Sequence, residues 1–262
     1  MTKLYVDTET FSDVDIKKAG TVKYAKNCEL LLARFKLGDQ AFTWETGNEG
    51  FPLWVWDHIR CGKPVVAHNA LFDFLVLEPF FGGELTLNQM RCTQAKVQAH
   101  GLPASLEKAC EALGAPQDRK KSLKGKTLIR KFCIPRKPSK LQSHTRVTPE
   151  MAPREWAVFR DEYLFQDVEA LEWLDKQLPD LSPTEHEIWV ETQRLNLRGI
   201  PVDVDTIAHI ADAIDHAVDK YASNFIRRTC LFPTQIEKIV AWINNNGVIC
   251  NCLLYTSPSP RD

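Results

Sequence analysis

Near the amino terminus, apolar residues come in short runs of strand length. Leu4-Tyr5-Val6-Asp7-Thr8-Glu9-Thr10 is an apolar run that ends in carboxylates. Its alternation predicts a strand with Asp7 and Glu9 on one face, about 7 Å apart along it. Phe11 to Lys26 is polar and turn-rich. Leu30 to Leu37 predicts a second strand, Gly38-Asp39 its turn and Ala41 to Trp44 a returning third, together an antiparallel meander.

Beyond Trp44 the period lengthens. Phe51 to Ile59 spaces its large apolar residues as a helix does, with Pro52 near the start and Gly62 past the end. Pro64-Val65-Val66-Ala67 reads as a short buried strand running into a helix from Ala70, with Asn69 placed as its N-cap. Pro103 to Gly114 predicts a helix capped by Ser105 and stopped by Gly114, and Lys126 to Phe132 a shorter one. The prolines at 135, 138 and 149 predict a mobile basic loop from Cys133 to Met151. A long helix from about Glu155 to Gln177 carries an apolar side of Trp156, Phe159, Tyr163, Val168, Leu171 and Leu174. After a proline-bearing link at 179–183 come an amphipathic helix (Thr184 to Leu197), a turn (Arg198 to Asp203), a second long helix (Val204 to Arg228) and a further helical stretch (Pro233 to Asn246).

A chain of 262 residues, 44% hydrophobic and 26% charged, can bury a good core. Neither end reads as a signal peptide and no apolar run is long enough to cross a bilayer, so no membrane association is expected. The eight cysteines form no C-x-x-C pair and suit reduced thiols of a cytoplasmic protein. The net charge of -1 is uninformative, but its distribution is not. From Arg119 to Thr148 there is no acid, while Lys120, Lys121, Lys124 and eight other cations crowd the stretch; acids crowd the following segment. A basic stripe beside an acidic cluster suits a metal-dependent enzyme acting on phosphodiesters, and equally a solvated loop with helix-flanking lysines.

Three groups of residues could carry chemistry. Asp7 and Glu9 would repel each other at a strand end, and a divalent cation such as Mg²⁺ or Mn²⁺ would relieve that repulsion; a solvated strand end is the plain alternative. Asn69 and Asp73 lie on one side of a helix start that follows a strand directly, close to the carboxyl end of the sheet. An ordinary cap with a first-turn acid would look the same. Tyr163 and Asp167 stand one helical turn apart and can face a single point, or form a surface pair.

Taken together, Asp7-x-Glu9, Asn69-x-x-Phe72-Asp73 and Tyr163-x-x-x-Asp167 occur in an order that resembles a known family. The chain is similar to the proofreading 3′–5′ exonuclease domain of family A DNA polymerases, particularly those of bacteriophages. Thr8-Glu9-Thr10-Phe11-Ser12, Asp15-Ile16-Lys17-Lys18-Ala19-Gly20, Lys23-Tyr24-Ala25, Val66-Ala67-His68-Asn69-Ala70, Gly101-Leu102-Pro103-Ala104-Ser105-Leu106 and Leu128-Ile129-Arg130-Lys131-Phe132-Cys133 carry the same likeness. It continues more faintly through Arg198-Gly199-Ile200-Pro201-Val202-Asp203 and Ile243-Asn244-Asn245-Asn246-Gly247.

The resemblance implies an α/β fold, a ribonuclease-H-like mixed sheet flanked by helices, followed by a helical fragment. It implies two Mg²⁺ ions, for which Mn²⁺ could substitute. Asp7, Glu9 and Asp167 would hold one; Asp7 and Asp73 would place the other. Tyr163 would orient or help deprotonate the attacking water; Glu162 stands where a histidine branch would need His, which marks the tyrosine branch. Asn69, Phe72, Lys120, Lys121 and Lys124 would contact DNA with a single-stranded 3′ end, and the protein would be monomeric. An RNA-trimming exonuclease and a catalytically silent DNA-binding module are the alternatives. The expected divisions are 1–180 for the exonuclease domain, 181–251 for the start of a polymerase body, and 252–262 for a non-native tail that resembles the translation of a sequencing-library adapter. No polymerase activity is expected from this fragment.

Overall fold

The computed structural model describes residues 2–48, 50–116, 123–137 and 144–250. It divides into two compact units, one through Gly199 and one from Ile200 onward.

The first unit is built on a five-stranded sheet. Strand β1 (Leu4–Phe11) is its centre, and almost every residue of it is buried. Strands β2 (Glu29–Leu37) and β3 (Gln40–Glu45) follow on one side as the expected antiparallel meander. Strands β4 (Val65–Ala67) and β5 (Met90–Cys92) lie parallel to β1 on the other side, giving the order β3-β2-β1-β4-β5. A mixed sheet with the meander first and helices on both faces is the ribonuclease-H-like arrangement.

The pleat of β1 sorts the core. Leu4 and Val6 pack with α3 (Leu53–Arg60) and α4 (Ala70–Phe81) in the largest apolar cluster, which includes Val55, Ile59, Leu77 and Phe81. Tyr5 points the other way and packs with Val168 and Leu171 of α9 (Leu164–Gln177). Each buried aliphatic side chain contributes about 1.5–3 kcal/mol, so both faces of β1 are held strongly and its register has no freedom to slip.

Several elements were not legible in the pattern. The polar stretch after β1 contains two short helices, α1 (Ile16–Ala19) and α2 (Thr21–Ala25), broken by Gly20 at φ 79°. Strand β5 and helix α5 (Thr93–Ala99) follow α4 without an evident periodic signal. Helices α6 (Leu106–Ala112) and α7 (Leu123–Phe132) fall where they were expected.

The single long helix expected from Glu155 is instead α8 (Pro153–Val158), a π-helical stretch at Phe159–Tyr163, and then α9. Hydrogen bonding from i to i+5 puts an extra residue into that turn. It rotates the face carrying Trp156 and Phe159 relative to the face carrying Asp167 and Leu171. Helix α10 (Pro183–Arg198) carries a full capping box at Ser182 and Glu185. It belongs to the first unit, where His186 and Arg194 bond to Asn88.

The second unit contains α11 (Val204–Thr229), whose Asp203 cap accepts from Thr206, and α12 (Ile236–Asn245). Among the described residues no helix is long and apolar enough to cross a membrane.

Candidate active site

The same pleat that sorts the core also sorts the acids. Asp7 and Glu9 continue the face of Tyr5, toward α9, while Thr8 continues the face of Leu4 and Val6, toward α4. Pairing of β1 with β4 ends at Tyr5, so residues 7 to 9 run past the end of the parallel neighbour. A bulge follows Glu9.

Asp167, in the first turn of α9, is 3% exposed and completes the group on that face. Asp7, Glu9 and Asp167 each bring a carboxylate oxygen within 4.8 Å of the others. At an effective dielectric near 20, two unit charges 4.8 Å apart repel by roughly 3 kcal/mol, and three acids make three such pairs. Hard oxygen ligands this close suit a divalent cation, which would relieve that repulsion.

Tyr163 closes the π-helical stretch and is buried beside this group. Its hydroxyl donates a hydrogen bond to Asp167, and its titration is pushed far upward by burial and then by the charges of Asp167, Glu9 and Asp7. The phenol therefore stays protonated. Its ring stacks on Phe159, at 5.5 Å between centroids and 12° between planes.

Asp73 comes from the other face. α4 starts directly after β4, and its first turn sets the Asp73 carboxylate against the strand end, where Oδ1 accepts the Thr8 hydroxyl at 2.8 Å. Burial pushes this carboxyl up to about 7, against the opposing effect of the Thr8 hydroxyl and nearby main-chain donors. It is 2% exposed and lies outside the set of three acids.

Asn69 departs from the expected helix cap. It adopts the left-handed region at φ 67° and its side chain makes no capping bond. Asparagine tolerates that conformation better than most residues, and here it turns the chain sharply from β4 into α4. His68 is held by Thr93 at 2.9 Å and by the Ala104 carbonyl at 2.8 Å.

A cleft of about 550 Å³ opens beside Glu9, lined on its apolar side by Tyr24, Phe72, Ile129, Cys133 and Ile134. The rings of Tyr24 and Phe72 lie 5.9 Å apart. Cys133, buried at the exit of α7, donates its thiol to Glu9 Oε2 at 3.5 Å. Neither Thr8 nor Cys133 stood out in the sequence. Thr8 could have been found from the pleat, since it alone of the three strand-end residues faces α4; Cys133 could not, because its partner is 124 residues away.

Lys120 and Lys121 lie outside the described residues, as does the side chain of Lys124. Of the basic stretch that is described, Lys131 bonds to Glu155 and Arg146 to Glu29, with the Arg146 guanidinium 4.5 Å over the Phe11 ring.

Comparison with known proteins gives these features a setting. No family model matches the chain. Over 97% of its length it is 30% identical to a DNA polymerase of Bacillus phage SP02. The chain is a relative of a phage DNA polymerase. It spans 40% of that relative's length. Among solved structures, Brucella melitensis NrnC is 18% identical with a TM-score of 0.38, covering 75% of this chain and 85% of its own. The catalytic core of RRP6 from Trypanosoma brucei is 17% identical with a TM-score of 0.36, covering 70% of this chain and 49% of its own.

Proposed function

We propose that this chain is a 3′–5′ proofreading exonuclease of a DNA polymerase, releasing 5′-nucleotides from the 3′ end of single-stranded DNA. One observation carries the reading: Asp7, Glu9 and Asp167 converge within 4.8 Å at the end of the central strand, with the Tyr163 hydroxyl on Asp167. The relation to a phage polymerase supports it.

Two Mg²⁺ ions, one held by Asp7, Glu9 and Asp167 and one by Asp7 and Asp73, would stabilise charge on the attacking and leaving oxygens of an in-line displacement. Asp73 is prepared for that role by the Thr8 hydroxyl, which holds its carboxylate at the strand end. Tyr163 presents a protonated hydroxyl beside the acids, a geometry suited to orienting an attacking water. Phe72 and Tyr24, with Ile129 and Ile134 opposite, make an apolar slot of the kind on which a terminal base stacks. Asn69, exposed at the start of α4 three residues before Phe72, would offer polar groups to the same DNA strand. Lys120, Lys121 and Lys124 belong to a basic stretch that would track the strand behind the terminus, and Lys131, Arg136 and Arg146 line a hollow of about 290 Å³ on the described part of that stretch.

On this reading residues 1–180 are the exonuclease domain, and the helices from 181 onward open the polymerase portion. The test is a 3′-labelled single-stranded DNA incubated with and without Mg²⁺, beside the RNA of the same sequence. Mononucleotide release from DNA only in the presence of Mg²⁺ is expected. Preferred trimming of the RNA, or no cleavage of either, would overturn the proposal.

A further inference from the structure

Gly125 is the third residue of α7, within a helix, where glycine is among the less favourable residues. Its backbone is not among those with positive φ, so no turn demands glycine there. The reason for it is steric. A Cβ at residue 125 would stand 2.5 Å from Cδ2 and 3.1 Å from Cζ of Tyr163, and closer still to Cε2. Ordinary carbon contacts are about 3.5–4.0 Å.

The ring has little room to yield. It also stacks on Phe159, which stacks in turn on Phe132 of the same α7 at 5.5 Å and 22°. Gly125, Leu128 and Phe132 follow helical spacing and form the face of α7 turned to these aromatics. Ile129 and, just past the helix, Cys133 line the substrate cleft instead. One helix therefore borders the cleft and closes down on the tyrosine.

We propose that Gly125 is a positioning residue for Tyr163: the missing side chain lets α7 lie directly on the ring and hold the hydroxyl at Asp167. The proposal rests on the role given above to Tyr163. Any side chain at 125 must move either the ring, which carries the hydroxyl, or the helix that packs on it.

The experiment combines substitutions at the two positions in the full chain. Gly125→Ala should lower kcat by roughly tens- to hundreds-fold, comparable to Tyr163→Phe. Single-stranded DNA affinity, measured by anisotropy without metal, should stay within about twofold, because α7 keeps its cleft residues. Added to Tyr163→Phe, Gly125→Ala should cost less than about threefold more, since the hydroxyl is already gone. Equal losses in both backgrounds would overturn the proposal.

A second arm needs no activity. Gly125→Ala should lower the unfolding midpoint of the otherwise wild-type chain, yet raise it in a Tyr163→Ala background, where the ring is absent and alanine favours the helix. A fall of the same size in both backgrounds would also overturn it; should Gly125→Ala alone not fold, a lowered midpoint on adding Gly125→Ala to Tyr163→Ala would do so. Absence of nuclease activity in the wild-type chain would instead refute the exonuclease reading, and the stability arm would still decide whether Gly125 and Tyr163 are coupled.

Discussion

The two ends of β1 treat buried charge in opposite ways. At the amino-terminal end, acids meet bases. Lys3 lies 2.8 Å from Asp175 and 2.7 Å from Asp180; Lys96 lies 2.7 Å from Asp175 and 2.9 Å from Asp180. The Tyr5 hydroxyl donates to Asp175 at 3.0 Å, and Lys96 also donates to the Asp175 carbonyl at 2.6 Å. Two lysines and two aspartates balance, which is what makes it tolerable for Lys96 and Asp175 to be almost wholly buried. At the carboxyl end, acids meet acids. Asp7, Glu9 and Asp167 converge on the α9 face and Asp73 waits on the α4 face. A neutral network ties helices to a strand; a cluster of one sign is useful only for what it can hold. The lesson is that burial of charge is not itself a mark of function, whereas carboxylates gathered within ligand distance of one another are a candidate site.

The sharpest way to separate the ends is to remove one charge from each and read both stability and activity. Asp7→Ala should abolish Mg²⁺-dependent cleavage, by roughly a thousandfold or more, corresponding to about 4 kcal/mol of transition-state stabilisation. Its unfolding free energy in chelator should not fall below that of wild type, since one of three mutually repelling acids is gone. Cleavage at the wild-type rate would mean that the convergence is not catalytic.

Asp73 gives the comparison a pH axis. Burial raises its carboxyl to about 7 in the folded chain, against about 3.9 unfolded. Between those values the folded state binds the extra proton, so this group's stability contribution is fully present below about pH 4 and is lost as pH rises toward 7. Asp73→Asn cannot ionise. In chelator, the stability of wild type relative to Asp73→Asn should therefore fall across that window, by at most about 4 kcal/mol. Urea unfolding of both proteins from pH 4 to 8 measures it, and parallel curves would place the carboxyl's titration elsewhere.

Lys96→Met at the opposite end should lower stability by about 3 kcal/mol, because it leaves Asp175 buried with less compensation. The rate per folded molecule should be unchanged. A smaller loss of stability accompanied by a loss of kcat would blur the contrast between the ends.

The smallest effect expected is that of Tyr163→Phe, tens- to hundreds-fold in kcat, or about 1.4–2.7 kcal/mol, with metal affinity retained. Isothermal titration with Mg²⁺ and single-turnover rates separate the two quantities. An unchanged rate would make Tyr163 a packing residue of the aromatic stack.

Much of the first unit was legible because its signals are local. The meander, the strand running into α4, and helices α3, α6 and α10 follow from apolar spacing, caps and turn residues within a few positions of each other. The acids were legible as three separated pairs, and pleat and helical spacing sufficed to say which members of a pair share a face. β5 and α5 were not legible. Met90-Arg91-Cys92 is too short to show a period, and α5 buries Lys96, which no hydrophobic pattern anticipates. The interruption of the late helix was not legible either, since a π turn leaves no mark in composition.

What the sequence determined by itself is the inventory and its local geometry: acids at a strand end, an acid in a helix's first turn, a tyrosine one turn before an aspartate. Tertiary structure alone decided how these meet. It set Asp167 beside Asp7 and Glu9, gave Asp73 to the Thr8 hydroxyl, put the Cys133 thiol on Glu9 and opened room for the Tyr163 ring at Gly125. The physical reason is one of range. Backbone propensity and side-chain period act over a few residues, whereas these contacts join positions 38 to 160 residues apart and exist only because two faces of one buried strand are packed against different helices.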